Sequence, residues 1–202
     1  MDLSGIAGKY DLIYSLGGNC TPSIQLKRMN LRSFSGVFDW MVSELEDVSG
    51  VLENRFQGFM EPGNLKAVGI DYGGGNLLVM DRKSRIISAH DFPQNQNHIF
   101  HLASYPEFRS RLDRRIYRTL HHLMYGSRLL FVRTNAYYEE ACELERVLNV
   151  LVKQDYRVLV INHSNADGIT DLQWSLPRTC AVGCYSINPA CWDTLFKDVS
   201  LG

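Results

Sequence analysis

The chain is poor in cysteine, lacks an excess of charge of either sign and has no long apolar run. Five cysteines in 202 residues, at positions 20, 142, 180, 184 and 191, are too sparse and irregular for a disulfide-stapled scaffold. A reduced, cytosolic (cytoplasmic) chain is the expectation. Lys plus Arg is 21 and Asp plus Glu is 22, a formal charge of −1. That balance excludes the broadly basic surface of a general nucleic-acid binder, so nucleic acid is not an expected partner. No apolar run reaches the roughly 18 residues needed to span a bilayer, and no membrane partner is expected. The opening residues Met1-Asp2-Leu3-Ser4-Gly5 have no basic region and no long apolar core, which argues against a secretory signal. Internal repeats, low-complexity tracts and linkers are also missing. What remains is an ordinary globular composition, 45% apolar and 21% charged. A chain of this length can bury about 70% of its unfolded surface, so one domain over residues 1–202 is expected, with no metal or cofactor required for its stability.

The pattern along the chain alternates between strand and helix. Residues 10–16 form a β-prone apolar run that stops at Gly17-Gly18, and Thr21-Pro22 then suits a first helical turn. Residues 37–60 read as one or two short helices, residues 62–75 as loop, and 77–80 with 85–88 as a hairpin. Ser104-Tyr105-Pro106-Glu107 is a capping-box pattern, and Phe108, Leu112, Ile116, Leu120 and Leu123 continue a helix that Gly126 ends. Strands at 129–132, 158–161 and 181–187 enclose a helix at 138–153, and residues 189–197 suit a last helical turn. Such alternation predicts an α/β fold with a mostly parallel central sheet, flanking helices and a Rossmann-like three-layer arrangement.

In a parallel sheet, ligand sites lie beyond the carboxyl ends of the strands. That rule selects Gly17-Gly18-Asn19-Cys20, then Thr134-Asn135, then Asn162-His163-Ser164-Asn165. Cys20 is the leading candidate. At a helix start, unpaired N–H groups favour an anion and lower a thiol's pKa, and the same groups can stabilise an oxyanion. The competing reading is a cysteine packed under a turn. A nucleophilic cysteine needs a base, and on position alone His90 and His163 are equal candidates, while His121 and His122 read as surface. Asp39, between Phe38 and Trp40, is either a helix cap or a carboxylate in a partly dry site. Asp91 adjoins His90 but points to the opposite face if both lie on a strand. The arginines at 109, 111, 114, 115 and 118 form a basic helix face, most simply solvated, with phosphate binding as the minority reading.

Tyr14-Ser15-Leu16-Gly17-Gly18-Asn19-Cys20, Gln25-Leu26-Lys27-Arg28, Phe38-Asp39-Trp40 and His90-Asp91-Phe92, with Phe131-Val132-Arg133 more weakly, resemble the family of predicted papain-like cysteine peptidases of unknown function. The resemblance implies Cys20 as nucleophile and His90 as base, with Asp39 or Asp91 as the orienting acid. It also implies a papain-like α+β fold as the alternative to the parallel α/β one, with the cysteine on a helix and the histidine on a sheet. Two functions follow. One is a cysteine-dependent hydrolase or acyl-transferase acting on an amide or ester of a small molecule or peptide. The other is a non-catalytic module binding a glycan or nucleotide at the strand ends. The catalytic reading expects an imidazole nitrogen within roughly 3–4 Å of the Cys20 sulfur, and backbone N–H groups of Asn19 and Cys20 as oxyanion donors. His163, Arg133 and Asn135 are reserve site residues.

Overall fold

Four strands of the chain are apolar along both faces, and they assemble as the core of a parallel sheet. The computed structural model describes residues 1–202. Strands β1 (Gly8–Tyr10) and β2 (Leu12–Ser15) are followed by helix α1 (Thr21–Arg28), strand β3 (Met41–Val42) and helix α2 (Leu45–Glu53). Next come β4 (Leu65–Ile70), β5 (Leu77–Asp81), β6 (Ile87–Ser88), β7 (Asn97–His98) and β8 (His101–Leu102). The long helix α3 (Tyr105–Tyr125), β9 (Arg128–Thr134), α4 (Tyr138–Leu151) and β10 (Asp155–His163) follow. The chain closes with β11 (Thr170–Asp171), β12 (Thr179–Cys184), α5 (Pro189–Leu195) and β13 (Val199–Leu201).

The five-stranded sheet has the order β11-β12-β10-β9-β2. β2, β9, β10 and β12 run parallel, and β11 is antiparallel to β12. Side-chain alternation sorts these strands into two cores. Tyr14, Leu129, Phe131, Tyr156, Val158, Val160 and Ala181 face one side, against residues of α2, α3 and α4. Ile13, Leu130, Val132, Leu159, Ile161, Cys180 and Val182 face the other, against Leu26 of α1 and Trp192, Leu195 and Phe196 at α5.

The fold is therefore mixed α/β with several sheets and five helices. The Rossmann-like expectation needs correction on two counts. The order β2-β9-β10-β12 advances without reversing, so the sheet lacks the topological switch point of a doubly wound fold. Between β2 and β9 the chain also builds a second, antiparallel sheet, β3-β6-β5-β4. Its strand β4 occupies the stretch expected as loop. β4 is an edge strand with exposed Val68 and Ile70 and a register shift between Ala67 and Gly69, so it carries no alternation signal.

The expected start of α3 is right in place but not in mechanism. Ser104 Oγ donates to Asn97 Oδ1 (2.9 Å) rather than capping the helix. A reciprocal capping box exists at α4 instead, where the Tyr137 N–H donates to Glu140 Oε2 (2.7 Å). The expectation that all cysteines are reduced is also corrected: Cys184, ending β12, and Cys191, in α5, form a disulfide, leaving Cys20, Cys142 and Cys180 free. No helix is long and apolar enough to cross a membrane.

Candidate functional site

The turn that carries Cys20 is built by glycine and held by a buried arginine. Gly17 (φ 75°) and Gly18 (φ 91°) take left-handed backbone, and a β-carbon on Gly18 would lie 2.5 Å from the Thr134 carbonyl oxygen. Beneath them the Arg133 guanidinium donates to the Leu16 carbonyl (3.0 Å), to Ser43 Oγ (3.0 Å) and to the Ser43 carbonyl (2.6 Å). Only 1% of Arg133 is exposed, no carboxylate lies within ion-pair distance, and burial pushes its pKa down to about 10. From the end of β9 it ties together the end of β2 and the segment before α2.

Cys20 itself is half-buried and sits directly before α1. The Asn19 side chain accepts from the Thr21 N–H (2.8 Å), while the N–H groups of Asn19 and Cys20 find no acceptor in the chain. Two backbone donors at the cysteine's place in the chain are therefore unpartnered. Its electrostatics run against the sequence argument: burial, then the negative charge of Asp39, hold the Cys20 thiol above its ordinary pKa. No hydrogen bond joins the sulfur to an imidazole.

A relay of contacts nevertheless connects α1 to His90. Arg32 Nη1 donates both to Ser23 Oγ in the first turn of α1 (2.6 Å) and to Asp39 Oδ2 (2.7 Å). The same guanidinium lies over the Trp40 ring, 5.4 Å from its centroid. Trp40 meets His90 edge to face, with centroids 5.6 Å apart. Pairing of β3 with β6 explains the contact: Met41 opposes Ser88, and the Ala89 N–H donates to the Trp40 carbonyl (3.0 Å). Cys20 thus begins a helix and exposed His90 follows a strand of the antiparallel sheet.

The acids proposed to orient the histidine have other partners. Asp39, 1% exposed, accepts from Arg32 and from the Gly36 N–H (3.0 Å). Asp91 accepts from Ser88 Oγ (2.8 Å) and pairs loosely with Arg111 (3.6 Å). Asp71 is held below its ordinary pKa by the Asn76 side chain and by backbone N–H groups of Asn76 and Gly75, with the charge of His90 the weakest contribution. It lies in the turn whose Gly74 and Gly75 carbonyls accept from Gln94 (2.7 Å and 3.0 Å). Sequence reasoning missed Arg32, Trp40 as a ring contact, and Asp71. Only the adjacency of Trp40 to Asp39 could have signalled any of them.

Of the reserve residues, Arg133 lies beneath the Cys20 turn, while His163 and Asn135 gather elsewhere on the sheet edge. His163 Nδ1 meets Ser186 Oγ (3.1 Å), its ring lies 5.3 Å from Tyr185, and its N–H donates to Asn135 Oδ1 (3.1 Å). β9 separates β10 from β2, so His163 and Asn135 stand beyond a different pair of strands from Cys20. A cleft of about 570 Å³ opens beside them, lined by Asn165, Asp167, Tyr185, Asn188 and Cys191 among others. A cavity of about 430 Å³ near Ser49, Asp81 and Lys83 touches neither Cys20 nor His90. No three or more His, Cys, Asp or Glu side chains converge to hold a metal ion.

Comparison with known proteins adds one finding. Residues 11–166 match the model of a family described as putative papain-like cysteine peptidase, a span that includes Cys20, Asp39, His90 and Arg133. No curated protein and no solved structure matches the chain.

Proposed function

The chain belongs to the family described as putative papain-like cysteine peptidases, and from that premise we infer that it is a cysteine-dependent hydrolase or acyl-transferase acting on an amide or ester. Cys20 is the nucleophile and His90 the base. The observation that carries this reading is the relay Ser23–Arg32–Trp40–His90, which ties the helix of the cysteine to the strand of the histidine. The unpaired N–H groups of Asn19 and Cys20 support an oxyanion site beside the sulfur.

Because burial and then Asp39 hold the Cys20 thiol above its ordinary pKa, the resting nucleophile is a thiol rather than a thiolate. Catalysis then proceeds by general base: the His90 imidazole takes the thiol proton as sulfur attacks the carbonyl carbon. The tetrahedral oxyanion accepts from the two N–H groups. Collapse breaks the bond to the amine or alcohol, which leaves with the proton from the imidazolium. Water attacks the resulting thioester, giving its proton to the imidazole, and the acid and free thiol are released. In an acyl-transferase an amine or alcohol replaces that water. Asp39 fixes Arg32 and thereby Trp40, whose edge-to-face contact positions the imidazole.

The test is a stopped-flow burst with p-nitrophenyl acetate. A stoichiometric nitrophenol burst in wild type, absent in Cys20→Ser and at least 100-fold slower in His90→Gln, is expected. An identical burst in Cys20→Ser overturns the reading.

A second reading has its own observation. The cleft of about 570 Å³ beyond β10 and β12, with amide, carboxylate and phenol groups, supports a non-catalytic module for a polar ligand such as a glycan or nucleotide. The absence of a Cys20–imidazole hydrogen bond favours it too. No burst, together with saturable binding of a nucleotide or oligosaccharide weakened by Tyr185→Ala, would establish this alternative.

A further inference from the structure

One face of α3 carries Arg111, Arg115, Arg118 and His122, spaced by four, three and four residues, so the four side chains form a single stripe. The stripe packs against the same two loops that carry the candidate site. Arg111 reaches Asp91 (3.6 Å), next to His90. Arg118 donates to the Ser35 carbonyl (3.5 Å) and lies 4.3 Å over the Phe34 ring, in the loop that leads to Asp39. His122 Nδ1 meets Tyr14 Oη (2.7 Å), on the strand leading to Cys20.

Charge does not balance along this wall. Asp39 and Asp91 are its buried carboxylates, and they are engaged by Arg32 (2.7 Å) and by Arg111 with Ser88. Arg118 keeps its buried Nε without a partner. Arg115, half-buried between these neighbours, has no hydrogen bond and no ion pair within 4.0 Å. Burial weakens its hold on its proton, Asp91 and Asp39 strengthen it, and Arg111 and Arg118 weaken it further. Of the four guanidiniums, Arg32 pairs with Asp39, and Arg111 with Asp91 and with exposed Glu107 (3.7 Å). Arg115 and Arg118 have no ion pair, and since Arg118 donates to the Ser35 carbonyl, Arg115 alone is without any partner. A planar fork of donors held part-way out of water suits a bidentate oxyanion.

Building on the cysteine-hydrolase reading, we propose that the acyl substrate bears an anionic group, carboxylate or phosphate, and that Arg115, flanked by Arg118, binds it. The sequence stripe alone had favoured solvated surface. The structure instead separates Arg114, which is exposed and bonds only Ser110 Oγ, from Arg115, which faces inward without a partner.

Binding and chemistry are tested separately. In the first arm, succinate and inorganic phosphate are titrated into the Cys20→Ser protein while the arginine Nε–Hε NMR signals are followed. Succinate or phosphate should shift the Arg115 signal saturably, and Arg115→Gln should weaken that binding at least tenfold, whereas Arg114→Gln should not. Which of the two ions binds tighter tells carboxylate from phosphate. In the second arm, acylation of wild type by mono-p-nitrophenyl glutarate is compared with p-nitrophenyl butyrate. The glutarate ester should be preferred at least tenfold in kcat/KM, and Arg115→Gln should abolish that preference while Arg114→Gln keeps it. Acylation without preference, or ion binding that is equal in Arg115→Gln, overturns this inference and leaves the cysteine reading standing. Arg115-dependent binding without any acylation does the reverse.

Discussion

Replacing Gly18 by alanine asks whether the Cys20 turn is as constrained as it is drawn. Two costs add. A non-glycine residue forced to a φ of 91° carries about 1–2 kcal/mol of backbone strain. The new β-carbon would lie 2.5 Å from the Thr134 carbonyl oxygen and 2.8 Å from Thr134 Oγ1. The nearer is backbone at the end of β9, which pairs with both β2 and β10, so it cannot swing aside. Overpacking of this kind costs about 1–3 kcal/mol, and the sum is about 2–5 kcal/mol, centred on about 3.5. For a chain of this size each kcal/mol moves Tm by roughly 2–4 °C, so a fall of about 10 °C is expected by scanning calorimetry. Gly73→Ala is the control, because its β-carbon meets nothing within 4 Å and its φ is not left-handed. It should move Tm by less than about 2 °C. A Gly18→Ala protein that melts with wild type would refute the account of the turn.

Three further outcomes follow from the same geometry. Burial and Asp39 raise the Cys20 pKa, so iodoacetamide labelling mapped by mass spectrometry should be slower than for free cysteine at pH 7 and should climb only in alkali; Asp39→Asn, which removes a negative charge, should move the rise to lower pH. Labelling of Cys20 at pH 6 faster than free thiol would contradict this. Arg133→Met strips donors from the Leu16 and Ser43 carbonyls and from Ser43 Oγ, and should lower stability in urea by about 3–5 kcal/mol, with Arg133→Lys between it and wild type; an unchanged midpoint would mean that water replaces the guanidinium. Cys191→Ala opens an eight-residue loop (184 to 191), whose closure is worth about 2.5 kcal/mol by chain entropy, and should drop Tm by about 5–10 °C, an effect that reducing agent alone should reproduce in wild type.

Much of the fold was legible because its largest parts are locally consistent. β9, β10 and β12 are apolar on both faces and stand out as runs, and α3 and α4 show their buried stripes at helical spacing. What escaped depends on pairing rather than on a pattern within the segment itself. β4 exists because β5 pairs with it, and three-residue β13 because Gly8–Tyr10 lies alongside. The disulfide escaped for a similar reason: the cysteines look irregular along the chain, whereas the β12–α5 turn brings Cys191 back to Cys184. At the candidate site, the glycine turn and a cysteine at a helix start were readable from Gly17 to Pro22. That Asp39 would be spoken for by Arg32 was not, since that contact has no local signature.

The place of β12 in the sheet has a consequence for dissecting this protein. The family match ends at residue 166, yet β12 begins at Thr179 and lies against β10 with all six of its residues buried. A fragment trimmed to the matched span would present the backbone of Val158–His163 as an open seam, with Leu159 and Ile161 stripped of Cys180 and Val182 beside them. Such a seam recruits other chains rather than water. The residues that carry the proposed chemistry therefore depend for their shape on a segment that contributes none of them. Recombinant boundaries drawn from the family match alone would yield aggregate, and silence from such a fragment would say nothing about Cys20.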